Sequence, residues 1–500
     1  MKLYFQIQNY NWQPERYKYS VEQMMLMLFP GERPEYPEGH APSDNEAVFS
    51  LDRGPDRTVV TARVTRPEGT AQGETQVESF LLDEAPERVY HTLQHALKMA
   101  FYQAGTAVLG QEPPWGALTG VRPVKLPTRC MLAGGTPEQA QAELEEEYRV
   151  SPLRAKLAVD CAQASLAVDR EVREDQVSLY IGIPFCPTRC AYCSFVSADV
   201  GRALKLIDPF LDALSREIRA AGAMLEGAGL QVRTVYFGGG TPTTLTAPQL
   251  DRLMGELAEH IDLSACTEYT VEAGRPDTIT AEKLAVLGRR GCGRVSVNPQ
   301  SMSDAVLAAM GRAHRAADIL GAFALVRESG IGCVNMDLIA GLPGDSVDGF
   351  RSSLDQVLSL APENVTVHTL ALKKGSRLME GETPLPPGED VAAMLDYAWA
   401  ALRESGQIPY YLYRQKYMSG SFENVGWCLP GTESLYNICM MEELHTIVSL
   451  GGGGVTKLVD RNTGYIQRVA NAKYPQEYIQ KIDAICADKA RVAEFCRQHG

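Results

Sequence analysis

The sequence predicts an α/β fold: a partial (β/α)6 barrel, preceded by a small α+β domain and followed by an extension. Three observations predict it. Between residues 177 and 370, short apolar runs alternate with longer helix-period segments, the pattern of βαβ units and a parallel sheet. Successive runs begin about 25 to 55 residues apart, long enough for a right-handed crossover through a helix each time. Before residue 110, in contrast, several β-type runs come first and one helical pattern follows them.

Taken in order, residues 1–110 carry the runs KLYFQIQ, AVFSLD, TVVTARVTR and TQVESFLL, then a helix from Glu87 to about Gln103. Residues 111–174 hold a Gly/Pro-rich connector containing GALTGVRPVKLPTR and a helical region from Thr136 to Val168. Residues 175–385 form the barrel, with strands expected at VSLYIGI (177–183), VRTVYF (232–237), EYTVE (268–272), RVSV (294–297), CVNMDLI (333–339) and NVTVHTL (364–370). Residues 386–500 begin with a helix from Glu389 to Glu404. They continue irregularly through YYLYRQKYMSG and the run Gly451–Gly454, and end in a helix from Gln476.

Five hundred residues at 45% hydrophobic and 22% charged can bury a large core in two or three domains. A net charge of −14 repels nucleic-acid phosphates over most of the surface, so no nucleic-acid partner is expected. The opening MKLYFQIQNYNW reads as an alternating strand, not as a charged region followed by an apolar one, and no apolar run is long enough to span a membrane. The protein is therefore expected to be soluble and cytoplasmic. Twelve cysteines are scattered through the chain and three are clustered, so most should be buried thiols in a reducing compartment.

The cluster is CPTRCAYC, with Cys186, Cys190 and Cys193 directly after the first barrel strand. Catalytic groups of α/β barrels gather at that end of the strands. Three thiolates at this spacing suit an iron–sulfur cluster with one iron left open for another ligand. Zinc and unliganded buried thiols are the alternatives, and no histidine or fourth cysteine lies close in sequence to complete a zinc site. Other strand ends carry suggestive groups. FGGGTPTTL (237–245) is either a tight turn or a place where a ligand meets bare backbone. Glu272 reads first as a solvated strand-end acid. Arg312 suits a carboxylate through paired donors. Asp337 places a charge inside an apolar strand, which needs hydrogen bonds or a function.

The stretch YIGIPFCPTRCAYCSF resembles the radical SAM enzymes, specifically the oxygen-independent coproporphyrinogen III oxidase-like family in its HemZ-like coproporphyrinogen dehydrogenase branch. The match is close over residues 175–380 and looser to about 457, and the resemblance implies a radical SAM barrel. It implies a [4Fe-4S] cluster on Cys186, Cys190 and Cys193, with one or two molecules of S-adenosylmethionine (SAM). The implied SAM contacts are Tyr180, Tyr192, Gly239, Gly240, Thr241, Glu272, Gln300, Arg312, Asp337 and Ala371. Tyr180 would lie near the sulfonium, where an aromatic face attracts a cation, and Tyr192 against a second SAM.

The activity implied is oxidative decarboxylation of coproporphyrinogen III to protoporphyrinogen IX in haem (porphyrin) biosynthesis. It needs a reductant such as flavodoxin or ferredoxin. Arg122, Lys125, Lys373, Lys374, Arg414 and Lys416 are candidate cations for the anionic substrate by charge alone. Two departures stand out. Gly182 replaces a histidine common in the family, and Lys457 replaces an apolar residue in LGGGGVTK. A haem-binding carrier of the same family is the main rival, although its His-Asn-x-x-Tyr-Trp signature is only partly echoed by ENVGW (423–427). A radical SAM methyltransferase is a third reading.

Overall fold

A computed structural model describes residues 1–7, 10, 12–194, 198–372, 375–379, 384–415 and 422–499. The chain divides into two compact units, Met1–Val159 and Asp160–Gly500.

In the first unit, β1 (Lys2–Ile7), β2 (Glu46–Arg53), β3 (Arg57–Arg66) and β4 (Gly69–Glu78) form one sheet in that order. β1 and β2 are parallel and the other pairs antiparallel. The ladder ends at Glu78, so the SFLL part of the expected fourth strand is instead a 3-10 turn at Ser79–Asp83. The sheet packs under α1 (Lys18–Leu28), which the sequence reading missed, and α2 (Pro86–Leu109). α2 starts on a proline, whose missing N–H costs nothing at that position, and stops at Gly110 with φ +69°. Gly73 lets it lie flat on β4, because a Cβ there would stand 2.1 Å from the carbonyl oxygen of Ala100. The shared core holds Leu3, Met24, Phe49, Leu51, Val60, Ala62, Val64, Leu97 and Phe101. α3 (Lys125–Leu132) and α4 (Pro137–Glu146) follow, α4 opening on a Thr136–Gln139 capping box, and the division between the units falls within α5 (Pro152–Asp169).

In the second unit the six expected strands all form. They are β5 (Gln176–Ile183), β8 (Gln231–Gly239), β9 (Glu268–Gly274), β10 (Arg294–Val297), β11 (Cys333–Ala340) and β12 (Asn364–Thr369), parallel and adjacent in chain order. Between β5 and β8, β6 (Phe185–Cys186) and β7 (Ala198–Asp199) make a two-stranded ladder beside the cysteines. The returning helices are α6 (Val200–Ala203), α7 (Ile207–Ala228), α8 (Ala247–His260), α9 (Ala281–Arg289), α10 (Asp304–Ala309), α11 (Ala316–Glu328) and α12 (Val347–Ser359). α7, α8 and α12 keep apolar residues on the stripe facing the sheet.

After α13 (Gly388–Glu404), where the sequence read as irregular, five further strands join the same sheet. β13 (Ile408–Arg414) and β14 (Glu423–Cys428) run antiparallel beyond β12, with α14 (Leu435–Glu442) following. β15 (Ile447–Gly451) runs parallel to β5 on the other side, continuing into β16 (Val455–Val459) and β17 (Ile466–Ala470). Among the described residues the eleven strands form an open sheet with β13 and β17 at its edges, so the six-stranded arc is a partial barrel. The expected last helix is three short ones, α15 (Pro475–Gln480), α16 (Ile482–Asp488) and α17 (Ala490–His499). No helix of the described residues is long and apolar enough to cross a membrane.

β15 accounts for Gly182. A Cβ at Gly182 would stand 2.7 Å from the carbonyl oxygen of Gly452, and Gly451 needs φ +85° to make the turn. A histidine cannot share that space. Lys457 is also explained: its Nζ donates to the carbonyl of Met440 in the last turn of α14, 2.8 Å away, and faces Glu443 at 3.6 Å.

Candidate active site

The carboxyl ends of the parallel strands surround a cavity of about 430 Å³, within the range of small-molecule sites. Strand alternation sends every second residue inward. The inward residues are Tyr236 on β8, Glu272 on β9, Ser296 on β10, Asn335 and Asp337 on β11, and Thr366 and His368 on β12. The added strands contribute Tyr411, Tyr413 and Asn424. A barrel lumen is ordinarily packed with branched apolar side chains; this one is polar.

Twelve of the thirteen residues singled out from the sequence line the cavity: Cys186, Cys190, Cys193, Tyr192, Gly239, Gly240, Thr241, Glu272, Gln300, Arg312, Asp337 and Ala371. Tyr180 does not. It stands behind Gly239, stacked at 6.3 Å on both Tyr236 and Tyr436, and burial raises its phenol well above the ordinary value. Of the cations, Arg414 is buried opposite Glu423 and is not a lining residue; burial lowers it to about 10. Arg122 and Lys125 belong to the first unit. Lys373, Lys374 and Lys416 lie outside the described residues.

The cysteine segment is fastened along its length. Arg275, 4% exposed, donates from Nη1 to the hydroxyl of Thr188 at 2.7 Å and forks onto Asp277 at 3.0 and 3.1 Å. The backbone of Ala191 bonds to Met310 on one side and Leu378 on the other, and Tyr192 packs beside Val306, Met310, Ile339 and Leu370. The glycine run meets the segment from below: Gly240 N–H donates to Ile183 and Thr241 N–H to Phe185. A Cβ on Gly240 would stand 2.5 Å from the carbonyl oxygen of Phe185, so glycine is required for this approach. The Thr241 hydroxyl thereby lies 3.5 Å from the sulfur of Cys186. None of the twelve cysteines is in a disulfide.

The donor chemistry fits a cluster, with three thiols on one wall. Among the described residues no three His, Cys, Asp or Glu side chains already form a group that could hold a metal ion. The opposite requirement, for a polar ligand, is met by buried groups without partners. Arg312, 6% exposed, donates to the Tyr192 hydroxyl at 3.4 Å, but its Nε has no hydrogen bond among the described residues; nor have Ser296 Oγ and Asn298 Oδ1. Unsatisfied buried polar atoms are costly in a finished core, and all three residues line this cavity.

Gln300 sits at φ +69°, a region a side-chain-bearing residue rarely adopts. Its backbone is locked there by donating to Asp337 (2.8 Å) and accepting from Ile339 (3.0 Å), so strain is held at the site. Burial pushes the Glu272 carboxyl up to about 7, reinforced by Asp337 and opposed by a 2.5 Å hydrogen bond from Tyr236 and by His368. Asp337 accepts from Asn335 at 2.7 Å, which accounts for its place in an apolar strand.

Sequence reasoning passed over Arg275, Ser296, Asn298, Asn335, Thr366 and His368. Their signal was a polar residue at every second position of otherwise apolar strands, as in Asn335-x-Asp337 and Thr366-x-His368. ENVGW, weighed as a haem-carrier echo, is part of β14: Asn424 accepts from Thr369 N–H at 3.1 Å and Trp427 is buried.

A family model of the radical SAM superfamily matches residues 180–357. The chain is 38% identical over 461 residues to the oxygen-independent coproporphyrinogen-III oxidase-like protein HemZ of Bacillus subtilis, covering 91% of each. It is 29% identical to the heme chaperone HemW of Lactococcus lactis, over 63% of this chain and 79% of that protein. A solved structure of coproporphyrinogen III oxidase (HemN) from Escherichia coli, a radical SAM enzyme, has the same fold, with a TM-score of 0.52 and 24% identity. The alignment covers 67% of this chain and 79% of the other.

Proposed function

The chain belongs to the radical SAM superfamily and, within it, to the oxygen-independent coproporphyrinogen-III oxidase-like proteins, and on that premise we propose that it oxidatively decarboxylates coproporphyrinogen III to protoporphyrinogen IX. The observation that carries the reading is the likeness to HemZ along 91% of both chains, which takes in the first unit as well as the barrel. The superfamily works with a [4Fe-4S] cluster and SAM.

Cys186, Cys190 and Cys193 would hold the cluster. With SAM bound and one electron supplied by a flavodoxin- or ferredoxin-type donor, the group would supply a carbon radical able to take a hydrogen atom from a propionate side chain; loss of that side chain's carboxylate as carbon dioxide, together with one electron passed to a one-electron acceptor, leaves a vinyl group. The chain's own residues orient and enclose. Gly239, Gly240 and Thr241 open the backbone to the ligand, and Arg312 offers a fork to a carboxylate. Glu272 and Asp337 receive cationic and hydroxyl groups, Gln300 and Ala371 shape the rim, and Tyr192 closes over the cysteine side. Tyr180 acts through the tyrosine stack behind Gly239. The arc of strands keeps water from the reacting atoms.

Anaerobically reconstituted, reduced protein given SAM and coproporphyrinogen III is expected to form 5′-deoxyadenosine and protoporphyrinogen IX, read by chromatography and porphyrin fluorescence after oxidation. The likeness to HemW supports a second reading as a haem carrier. Tight stoichiometric haem binding with no porphyrinogen product would establish that one instead.

A further inference from the structure

His368 lies in the lumen of the arc, near the end of β12 and at the opposite end of the six strands from β5 and the cysteine segment. Its side chain is 27% exposed and lines the cavity, and it makes no hydrogen bond among the described residues. Among the described residues, two of the other cations of the lining are engaged by protein partners, and Arg312, whose Nε is free, stands on the cysteine side among the residues proposed to contact SAM. Arg275 is forked onto Asp277 and Thr188, Arg189 donates to the carbonyl of Gly375, and Arg312 faces Tyr192. His368 is placed differently. Its Nε2 is 3.8 Å from Asp337 Oδ2, close enough to orient the ring and too far to satisfy it.

We infer that His368 is a specificity-determining residue for the substrate, presenting an imidazole N–H to one of its carboxylates. This deepens the porphyrinogen reading above and rests on it. The lumen around the ring carries Asp337 and Glu272, so an anionic substrate entering it meets acid on β9 and β11. An imidazole N–H on β12, in a ring that has Asp337 at 3.8 Å, gives a carboxylate a donor there. The Glu272 carboxyl, bonded to Tyr236 and raised by burial, adds less repulsion than a free carboxylate would. Ser296 Oγ and Asn298 Oδ1, buried and without partners in the same lumen, are placed to meet the pyrrole N–H groups of such a substrate. Nothing in this arrangement requires His368 to touch SAM.

The test compares the reconstituted wild type with His368→Phe and His368→Gln, measuring KM and kcat for coproporphyrinogen III and, separately, the Kd for SAM. A lost charge-assisted hydrogen bond is expected to raise KM about tenfold or more in H368F. H368Q, which keeps an N–H donor of similar reach, should recover much of that, and SAM affinity should stay within about twofold in both. A coproporphyrinogen tetraester should bind wild type and H368F alike. An unchanged KM in an active H368F, or a loss of SAM affinity equal to the rise in KM, overturns the inference alone. A wild type that makes no product overturns the porphyrinogen reading and the inference with it.

Discussion

The two units use the same device, a sheet whose alternate residues point inward, and fill it with opposite chemistry. In the first unit the inward residues are Leu3, Phe49, Leu51, Val60, Ala62 and Val64, closed off by α1 and α2. In the second, the inward residues at the carboxyl ends are Tyr236, Glu272, Asn298, Asn335, Asp337, Thr366 and His368, and they surround a cavity. A dry face stabilises by excluding water. A wet face spends stability on groups that only a ligand completes. The candidate site in this molecule is found where the inside of a sheet fails to be apolar.

The sharpest way to break that contrast is to make one large change in each region. Cys190→Ala removes one of three candidate ligands, and we expect loss of bound iron, of the visible charge-transfer absorbance and of SAM cleavage, with the fold retained by circular dichroism. Phe49→Ala empties a fully buried site that contacts Phe5 and Phe101, each at 5.1 Å between ring centroids. It should lower stability by about 3–5 kcal/mol in chemical denaturation while the folded protein keeps its iron. Iron retained in C190A, or lost from folded F49A, would erase the distinction.

Glu272→Gln sharpens it through pH. The Glu272 carboxyl stands at about 7, above its ordinary 4.5, so the fold disfavours the ionised form. The ligand-free wild type should lose stability relative to E272Q as pH rises from about 4.5 through about 7, by up to about 3 kcal/mol, and the difference should be flat above that. A cationic ligand group reverses the preference. SAM affinity of the wild type is expected to rise with pH up to about 7 by equilibrium dialysis, and E272Q should show no such rise. The smallest effect is expected at Gly182→Ala, where the new Cβ meets Gly452. It should destabilise by about 1–3 kcal/mol, seen as a lower melting temperature with SAM affinity little changed.

Much of the second unit was legible in the sequence because its signals are local. Six apolar runs at crossover spacing are enough for a parallel arc, and all six strands formed where they were read. CPTRCAYC and FGGGT carry their chemistry in adjacent residues, and both line the cavity. The five strands after residue 404 were not legible. β13 to β17 are short and antiparallel in part, and become strands by adding to edges the earlier strands had already made. α1 was missed for a similar reason, since its apolar residues acquire a face only against α2.

The sequence alone determined which thiols are the candidates to bind iron, which strands carry candidate contacts and how they follow one another, because covalent spacing and periodicity fix those. Tertiary structure decided which contacts share a cavity. It set Tyr180 behind the glycines, engaged Arg275 in fastening the cysteine segment and turned Arg414 into a buried partner of Glu423. It also left His368 lining the lumen, beside Asp337 and, among the described residues, without a hydrogen bond. Those outcomes depend on strand register and on which groups bury one another, quantities that exist only once residues far apart in the chain have been packed together.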